Sequence, residues 1–139
     1  MATVNVYLTF NGNTEEAFNF YKSVFGGEFT YMGRFKDMPA DENCPPPSEE
    51  EGNRIMHVSL PISKETILMA SDSTSFSGDV TFGNNFSVSI NTDNKEEADR
   101  LFNGLSVGGN IIMPMEKTFW GAYFGMFTDK FGVNWMVNF

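Results

Sequence analysis

Apolar and polar positions follow a fixed order along this chain, and that order occurs twice. Each half opens with apolar residues at every second position, over 4–10 and 85–91, which is typical of a strand. Apolar residues then recur three and four positions apart, which predicts an amphipathic helix. The helices open with closely related sequences, NTEEA at 13–17 and NKEEA at 94–98. One supersecondary unit is therefore used twice.

The segments after each helix complete a β-α-β-β-β order in both halves. In the first half, Asn13 or Thr14 is expected to cap the helix and the Gly26-Gly27 pair to end it. Strands over 28–35, 54–62 and 65–71 are predicted to complete this half. In the second half, the predicted helix covers 95–106, and strands follow over 110–115, 122–128 and 133–138. This order predicts an α+β fold in a single domain, with modules over about 1–72 and about 84–139 and a Ser- and Gly-rich linker over 73–83.

The segment from 36 to 53 shows neither period and contains four prolines. Because proline removes backbone donors, a long surface loop is predicted, either a lid over a site or a disordered stretch. The three glutamates at 49–51 favour a solvated, solubilising segment over a functional clamp.

Composition narrows the class of protein. A chain of 139 residues that is 41% hydrophobic can bury one proper core. Its 18 acidic and 9 basic side chains give a net charge of −9, which repels nucleic acid and anionic lipid, so neither is an expected partner. The sequence shows no apolar run of about 18 residues and no secretory signal, so a cytoplasmic protein is expected. The lone Cys44 cannot form an internal disulfide and lies in an acidic setting that disfavours a thiolate nucleophile.

The tandem modules resemble the vicinal oxygen chelate superfamily of glyoxalase I, bleomycin-resistance proteins and extradiol dioxygenases. Within it, the chain resembles the PhnB-like branch, which is also labelled demethylubiquinone methyltransferase-like. The motifs that carry the resemblance lie at 7–13, 20–28, 37–39, 42–45, 57, 69–72 and 118–136, and the last is the most specific. The resemblance implies two curved sheets around a cleft, helices on the outer faces and a homodimer. No glycine-rich turn of a doubly wound unit is present, so no nucleotide-cofactor site is predicted.

The resemblance also bears on metal binding. In metal-using members, His, Gln or Glu ligands come from the first and last strands of each module. The corresponding positions here hold Val6, Met69, Asn85 or Ser87, and Met136. Aliphatic and thioether side chains do not bind hard divalent cations, so the usual metal site is predicted to be absent and no cofactor is expected.

The polar candidates for a site lie on the first module. His57, the only histidine, is a candidate general base or hydrogen-bond donor in a predicted strand, with a satisfied structural histidine as the alternative. Ser71 and Asp72 end the fourth predicted strand, where Ser71 is a candidate ligand contact and Asp72 either reaches the cleft or initiates a turn. Arg34 is a candidate partner for an anion.

Aromatic residues crowd the C-terminal strands and predict an apolar cleft for a planar or hydrophobic ligand. Tyr7, Trp120 and Trp135 are the aromatic candidates, since their rings carry polar groups. We therefore expect a binding protein for a hydrophobic or aromatic metabolite. The alternative is a divalent-metal-dependent glyoxalase- or dioxygenase-like enzyme whose rearranged ligand set recruits His57, Asp72 and a glutamate of the loop.

Overall fold

A computed structural model describes residues 1–39, 43 and 46–139. The chain divides into two compact units, Met1–Val80 and Thr81–Phe139, and the division falls inside the predicted linker. Over the described residues, each unit contains one four-stranded mixed sheet, and the two units together contain three α-helices. The predicted α+β class with two repeated modules is confirmed.

In the first unit, one helix covers one face of a sheet with strand order β1-β4-β3-β2. Its elements are β1 Val6–Phe10, α1 Thr14–Phe25, β2 Tyr31–Arg34, a 3₁₀ turn Phe35–Asp37, α2 Glu49–Gly52, β3 Ile55–Pro61 and β4 Ile67–Asp72. β1 runs parallel to β4, and the other neighbours are antiparallel. Gly26 ends α1 with a positive φ of 81°, as predicted. The core combines apolar residues of the sheet and the helix, among them Leu8, Phe10, Phe18, Tyr21, Val58, Leu60 and Leu68.

The second unit repeats this arrangement with strand order β5-β8-β7-β6. Its elements are β5 Val88–Asn91, α3 Lys95–Leu105, β6 Asn110–Lys117, β7 Tyr123–Thr128 and β8 Asn134–Asn138. The side chain of Asn94 caps α3 by accepting from the Glu97 N–H at 2.8 Å. Its core is built from buried residues that include Leu101, Phe102, Leu105, Phe127, Trp135 and Val137.

Three element predictions differ from the structure. The segment predicted as a loop contains the 3₁₀ turn and α2, in which the Ser48 Oγ accepts from the Glu51 N–H at 3.2 Å. Glu51 in turn accepts a hydrogen bond from the Ser75 N–H at 2.7 Å, so this acidic turn is tied to the linker. A helix of one turn is too short to show a hydrophobic period, which explains the wrong prediction. β2 and β5 begin at Tyr31 and Val88, three residues later than predicted. Cys44 lies outside the described residues.

The β1–α1 connection is held by a buried carboxylate rather than by Asn13, whose side chain makes no capping hydrogen bond. Asp72, at the end of β4, accepts at Oδ1 from the Gly12 N–H, the Thr14 N–H and the Thr14 hydroxyl, at 3.1, 3.0 and 2.6 Å. Its Oδ2 accepts from the Ile55 N–H at 2.8 Å. A single carboxylate thus joins β4, β3 and the start of α1. Neither of the two predicted roles for Asp72, a cleft group or a turn initiator, matches this capping role.

We expect Asp72→Asn to lower the free energy of unfolding by about 2–4 kcal/mol, because its amide group would face the buried Ile55 N–H with a donor. Urea denaturation measures the effect. The matched control is Asp79→Asn at an exposed carboxylate, which should change stability by less than about 0.5 kcal/mol. Equal midpoints for the two variants would show that the Asp72 carboxylate is not needed.

Candidate functional site

The sheet of the first unit has a covered face under α1 and an open face on its other side. Strand alternation places exposed or half-buried side chains on the open face, namely Tyr7, Thr9, Tyr31, His57, Ser59, Met69 and Ser71. The pairing register aligns four of these in one row across the sheet, Tyr7, Met69, Ser59 and Tyr31. The charged residues of these four strands, Arg34 and Asp72, make their side-chain hydrogen bonds away from this face, to α1 and to the backbone around it. Among the strand residues that the structure describes, the open face is therefore aromatic and polar and carries no formal charge when His57 is neutral.

His57 is the centre of this face. The Tyr7 Oη lies 3.1 Å from Nδ1, and the Ser59 Oγ lies 2.9 Å from Nε2. The Tyr7 ring stacks on the imidazole at a centroid distance of 5.6 Å, and the Tyr31 ring lies at 5.7 Å. Because hydroxyls both donate and accept, either neutral tautomer and the protonated ring can satisfy both nitrogens. His57 is thus hydrogen-bonded, as a structural histidine would be, and it also lies on an open face, as a functional histidine would. Both predicted roles are compatible with this position.

Gly33 shapes the position of Tyr31. A Cβ at Gly33 would lie 2.5 Å from the Tyr31 Oη and 2.9 Å from two of its ring carbons. The missing side chain lets the tyrosine ring fold along β2 toward His57, beside a register irregularity between Gly33 and Arg34. Close approach, rather than backbone conformation, explains the glycine here.

Arg34 lies elsewhere in the unit, at a cavity of about 390 Å³ near the start of α1. Its guanidinium donates to Glu15 and to the Asn53 carbonyl. Arg54, at the same cavity, donates to the Ser73 carbonyl and lies 3.7 Å from Glu50. Both arginines are thus engaged by neighbouring groups, and Arg34 is not brought to the open face as an anion partner.

The sheet of the second unit also has an open face, and this face is rich in methionine. The register sets Met113, Met126 and Met136 side by side on adjacent strands. Trp120 is 60% exposed and lies 6.4 Å from the Phe124 ring. Thioethers are flexible and polarizable, so this face can adapt to irregular apolar shapes.

Trp135 and Tyr123 of the second unit lie on the covered side of its sheet. Trp135 is fully buried, and its Nε1–H donates to the Asp129 Oδ2 at 2.8 Å. The other Asp129 oxygen accepts from the Phe131 and Val133 N–H groups, which fixes the β7–β8 turn. The prediction of Trp135 as a ligand contact does not agree with this core position.

The Tyr123 hydroxyl donates to Asp99, and that hydrogen bond, together with burial and the charge of Asp99, raises the pKa of Tyr123.

The predicted site residues are thus only partly brought together. Tyr7, His57 and Ser71 share the open face of the first sheet, whereas Arg34 lies at the separate cavity and Trp120 lies in the second unit. Sequence reasoning missed Tyr31 and Ser59. Ser59 follows His57 by two positions in a predicted strand, so strand alternation was a signal that could have found it.

The residues at the predicted metal positions do not suit a divalent cation. Val6 alternates onto the covered side of β1, Met69 and Met136 offer thioethers, and Asn85 and Ser87 precede β5. Over residues 1–39, 43 and 46–139, no three His, Cys, Asp or Glu side chains are grouped so as to hold a metal ion.

The rearranged ligand set of the alternative enzyme fits no better. Both nitrogens of His57 have hydroxyl partners, and both oxygens of Asp72 accept buried hydrogen bonds. Carboxylates and free imidazoles are the groups that such a site needs.

Comparisons with known proteins place the chain in a family. The sequence profile of the family described as 3-demethylubiquinone-9 3-methyltransferase matches residues 2–138. This chain belongs to that family. Protein YjdN of Escherichia coli K12 is 35% identical over 141 residues, which cover 95% of this chain and 91% of YjdN.

Solved structures of related proteins share the fold of this chain. PA1353 of Pseudomonas aeruginosa is 42% identical, with a TM-score of 0.83 over 99% of this chain and 97% of that one. A PhnB protein of Bacillus cereus is 28% identical, with a TM-score of 0.72 over 98% of each chain. A glyoxalase/bleomycin resistance protein of Albidiferax ferrireducens shares the fold, at 14% identity and a TM-score of 0.64 over 98% and 96%. The resemblance to PhnB-like proteins is confirmed, and the fold is the one that glyoxalase/bleomycin resistance proteins have.

None of the helices among the described residues is long and apolar enough to cross a bilayer.

We expect Gly33→Ala to move the Tyr31 ring away from His57, because the new methyl group would occupy the position of the ring. The side chain can rotate, so stability should fall by only about 1 kcal/mol. Two-dimensional NMR of the aromatic side chains should show shifted Tyr31 and His57 signals. Gly83→Ala, where the nearest atom is 3.5 Å from the new Cβ, is the control and should leave both signals in place. Unchanged signals in Gly33→Ala would contradict the contact.

Proposed function

We propose that this member of the PhnB-like family binds a hydrophobic or aromatic small molecule on the open face of its first sheet. The observation that carries the proposal is the pair of tyrosine rings, Tyr7 and Tyr31, each 49% exposed on either side of His57. Exposed aromatic side chains with polar ends provide apolar contact area and hydrogen bonds together.

The charge distribution supports the same proposal. A protein with a net charge of −9 keeps charged groups off this one face, since Arg34 and Asp72 make their hydrogen bonds elsewhere. Ligand rings can therefore stack on the tyrosines without displacing an ion pair. Stacking contributes about 0.5–1.5 kcal/mol per aromatic pair beyond the area that it buries.

The open face of the second sheet supports an apolar ligand independently. Met113, Met126 and Met136 form a continuous thioether row, and Phe124 and Trp120 lie at the same end of the unit. Methionine-rich surfaces are typical of proteins that accept ligands of varied shape. Trp120 thus stays a candidate ligand contact, although Trp135 does not.

Methyl transfer, which the description of the family names, is not part of the proposal. A nucleotide-type cofactor needs free N–H groups at a glycine turn between a strand and a helix. The turn between β1 and α1 contains Gly12, but its N–H and that of Thr14 already bind the Asp72 carboxylate. These two N–H groups are therefore not free to bind an anionic group.

We also propose that the protein is a cytoplasmic homodimer that does not use the usual metal site. The acidic surface suits a soluble protein, and the edge strand β6 exposes Ile111, Ile112 and Met113. An exposed apolar edge strand is a common surface for pairing with a second copy.

We expect Tyr7→Ala and Tyr31→Ala each to weaken the binding of planar aromatic compounds by about tenfold, because each removes one stacking ring. A panel of naphthalene derivatives, titrated calorimetrically, provides the measurement. Phe76→Ala is the matched control, since Phe76 is an exposed ring of the same unit that lies outside the sheet. Equal losses in all three variants, or none, would argue against this face as the ligand site.

We expect native mass spectrometry of freshly purified protein to give a dimer without a metal ion. The donor chemistry of the described residues predicts this, because thioethers and engaged side chains hold hard cations weakly. An added mass from a co-purified organic molecule would identify the class of ligand. One equivalent of nickel, zinc or manganese per subunit would instead support the alternative enzyme with a rearranged ligand set.

A further inference from the structure

We propose that His57 makes the open face of the first sheet selective for an aromatic carboxylate and couples its binding to proton uptake. The inference rests on the proposed function, and it names the class of ligand. The observation behind it is a chain of hydrogen bonds from Tyr7 through His57 to Ser59, in which the imidazole lies between two hydroxyl groups.

The two hydroxyls fix the ring and allow it to change its charge. Ser59 lies two positions along β3 from His57, and Tyr7 comes from β1, so partners on two strands hold the imidazole plane. A hydroxyl accepts a hydrogen bond as readily as it donates one. Protonation of the ring therefore breaks none of these hydrogen bonds, and each hydroxyl only rotates its proton.

That rotation changes what Tyr7 presents to a ligand. The protonated imidazole donates from Nδ1 to the Tyr7 Oη, so the hydroxyl proton of Tyr7 must point to another acceptor. When the neutral ring carries its proton on Nε2, Tyr7 instead donates to Nδ1 and offers only lone pairs. Because Tyr7 is half exposed, protonation of His57 turns this hydroxyl into a donor toward a bound ligand.

Among the strand residues that the structure describes, His57 is the side chain on this face that can carry a positive charge. The other ionisable side chains there, Tyr7 and Tyr31, are phenols and cannot become cations. Arg34 binds Glu15 of α1, and Asp72 is buried under the β1–α1 turn, so neither faces the imidazole. An anion that binds beside the ring stabilises its protonated form, and by linkage a protonated ring binds the anion more tightly.

A carboxylate meets the requirement for an anion that is ionised while a histidine is protonated. Carboxylates stay ionised through the range in which histidine takes up a proton, whereas phenols are still neutral there. An imidazolium and a carboxylate therefore coexist, with the Tyr7 hydroxyl as a second donor. The tyrosine rings on both sides of His57 favour a carboxylate that is attached to a planar aromatic ring.

The test compares 2-naphthoate with its neutral analogue 2-naphthamide, by calorimetric titration of the full chain at about pH 5.5 and about pH 8. We expect naphthoate to bind about tenfold more tightly at the lower pH, as a charge-assisted hydrogen bond predicts, and the amide to bind alike at both. His57→Gln, which keeps a polar side chain but cannot titrate, should abolish the gain. Tyr7→Phe, which keeps the ring, should reduce the gain while the amide still binds.

The outcomes separate this inference from the proposed function. If both probes bind but naphthoate shows no gain at the lower pH, or if His57→Gln keeps the gain, the coupling through His57 is wrong and the aromatic site stands. A gain of equal size for the amide also overturns the coupling. If neither probe binds at either pH, the proposed function and the inference fail together. Thermal melting of both variants checks that they are folded.

Discussion

The buried carboxylate of Asp72 is the interaction on which the first unit depends. It collects hydrogen bonds from the β1–α1 turn, from the first residue of α1 and from Ile55 at the start of β3. Several buried donors share one acceptor group, so the helix start is fixed against one side of the sheet. The helix therefore covers one face only, and the opposite face is left to aromatic and polar side chains.

The consequence is a separation of roles between the two faces. Charged groups of the strands, Arg34 and Asp72, are used on the side of α1, where they hold loops and the helix in place. The open face keeps Tyr7, His57 and Tyr31, whose rings gather within about 6 Å of the imidazole. In the proposed function, this face would recognise a ligand by shape and hydrogen bonding.

Membership in the PhnB-like family establishes the fold of this chain, but its chemistry depends on the particular side chains that the fold carries. One scaffold of this kind hosts several reactions and binding functions. Here the positions predicted to correspond to metal ligands hold Val6, Met69, Asn85 or Ser87, and Met136, and the Gly12 and Thr14 N–H groups of the strand–helix turn bind Asp72. The open face of the first unit presents exposed aromatic and polar side chains.

The sequence by itself determined the repeated module and the order of its helix and strands along the chain, because these follow from local periodicity. It placed His57 in a strand but not next to Tyr7, a residue 50 positions away, since that contact depends on strand register across the sheet. The pairing of Arg34 with Glu15 and the burial of Trp135 were decided in the same way. Tertiary structure brings together groups that are distant in the chain, and the local sequence pattern does not predict those contacts.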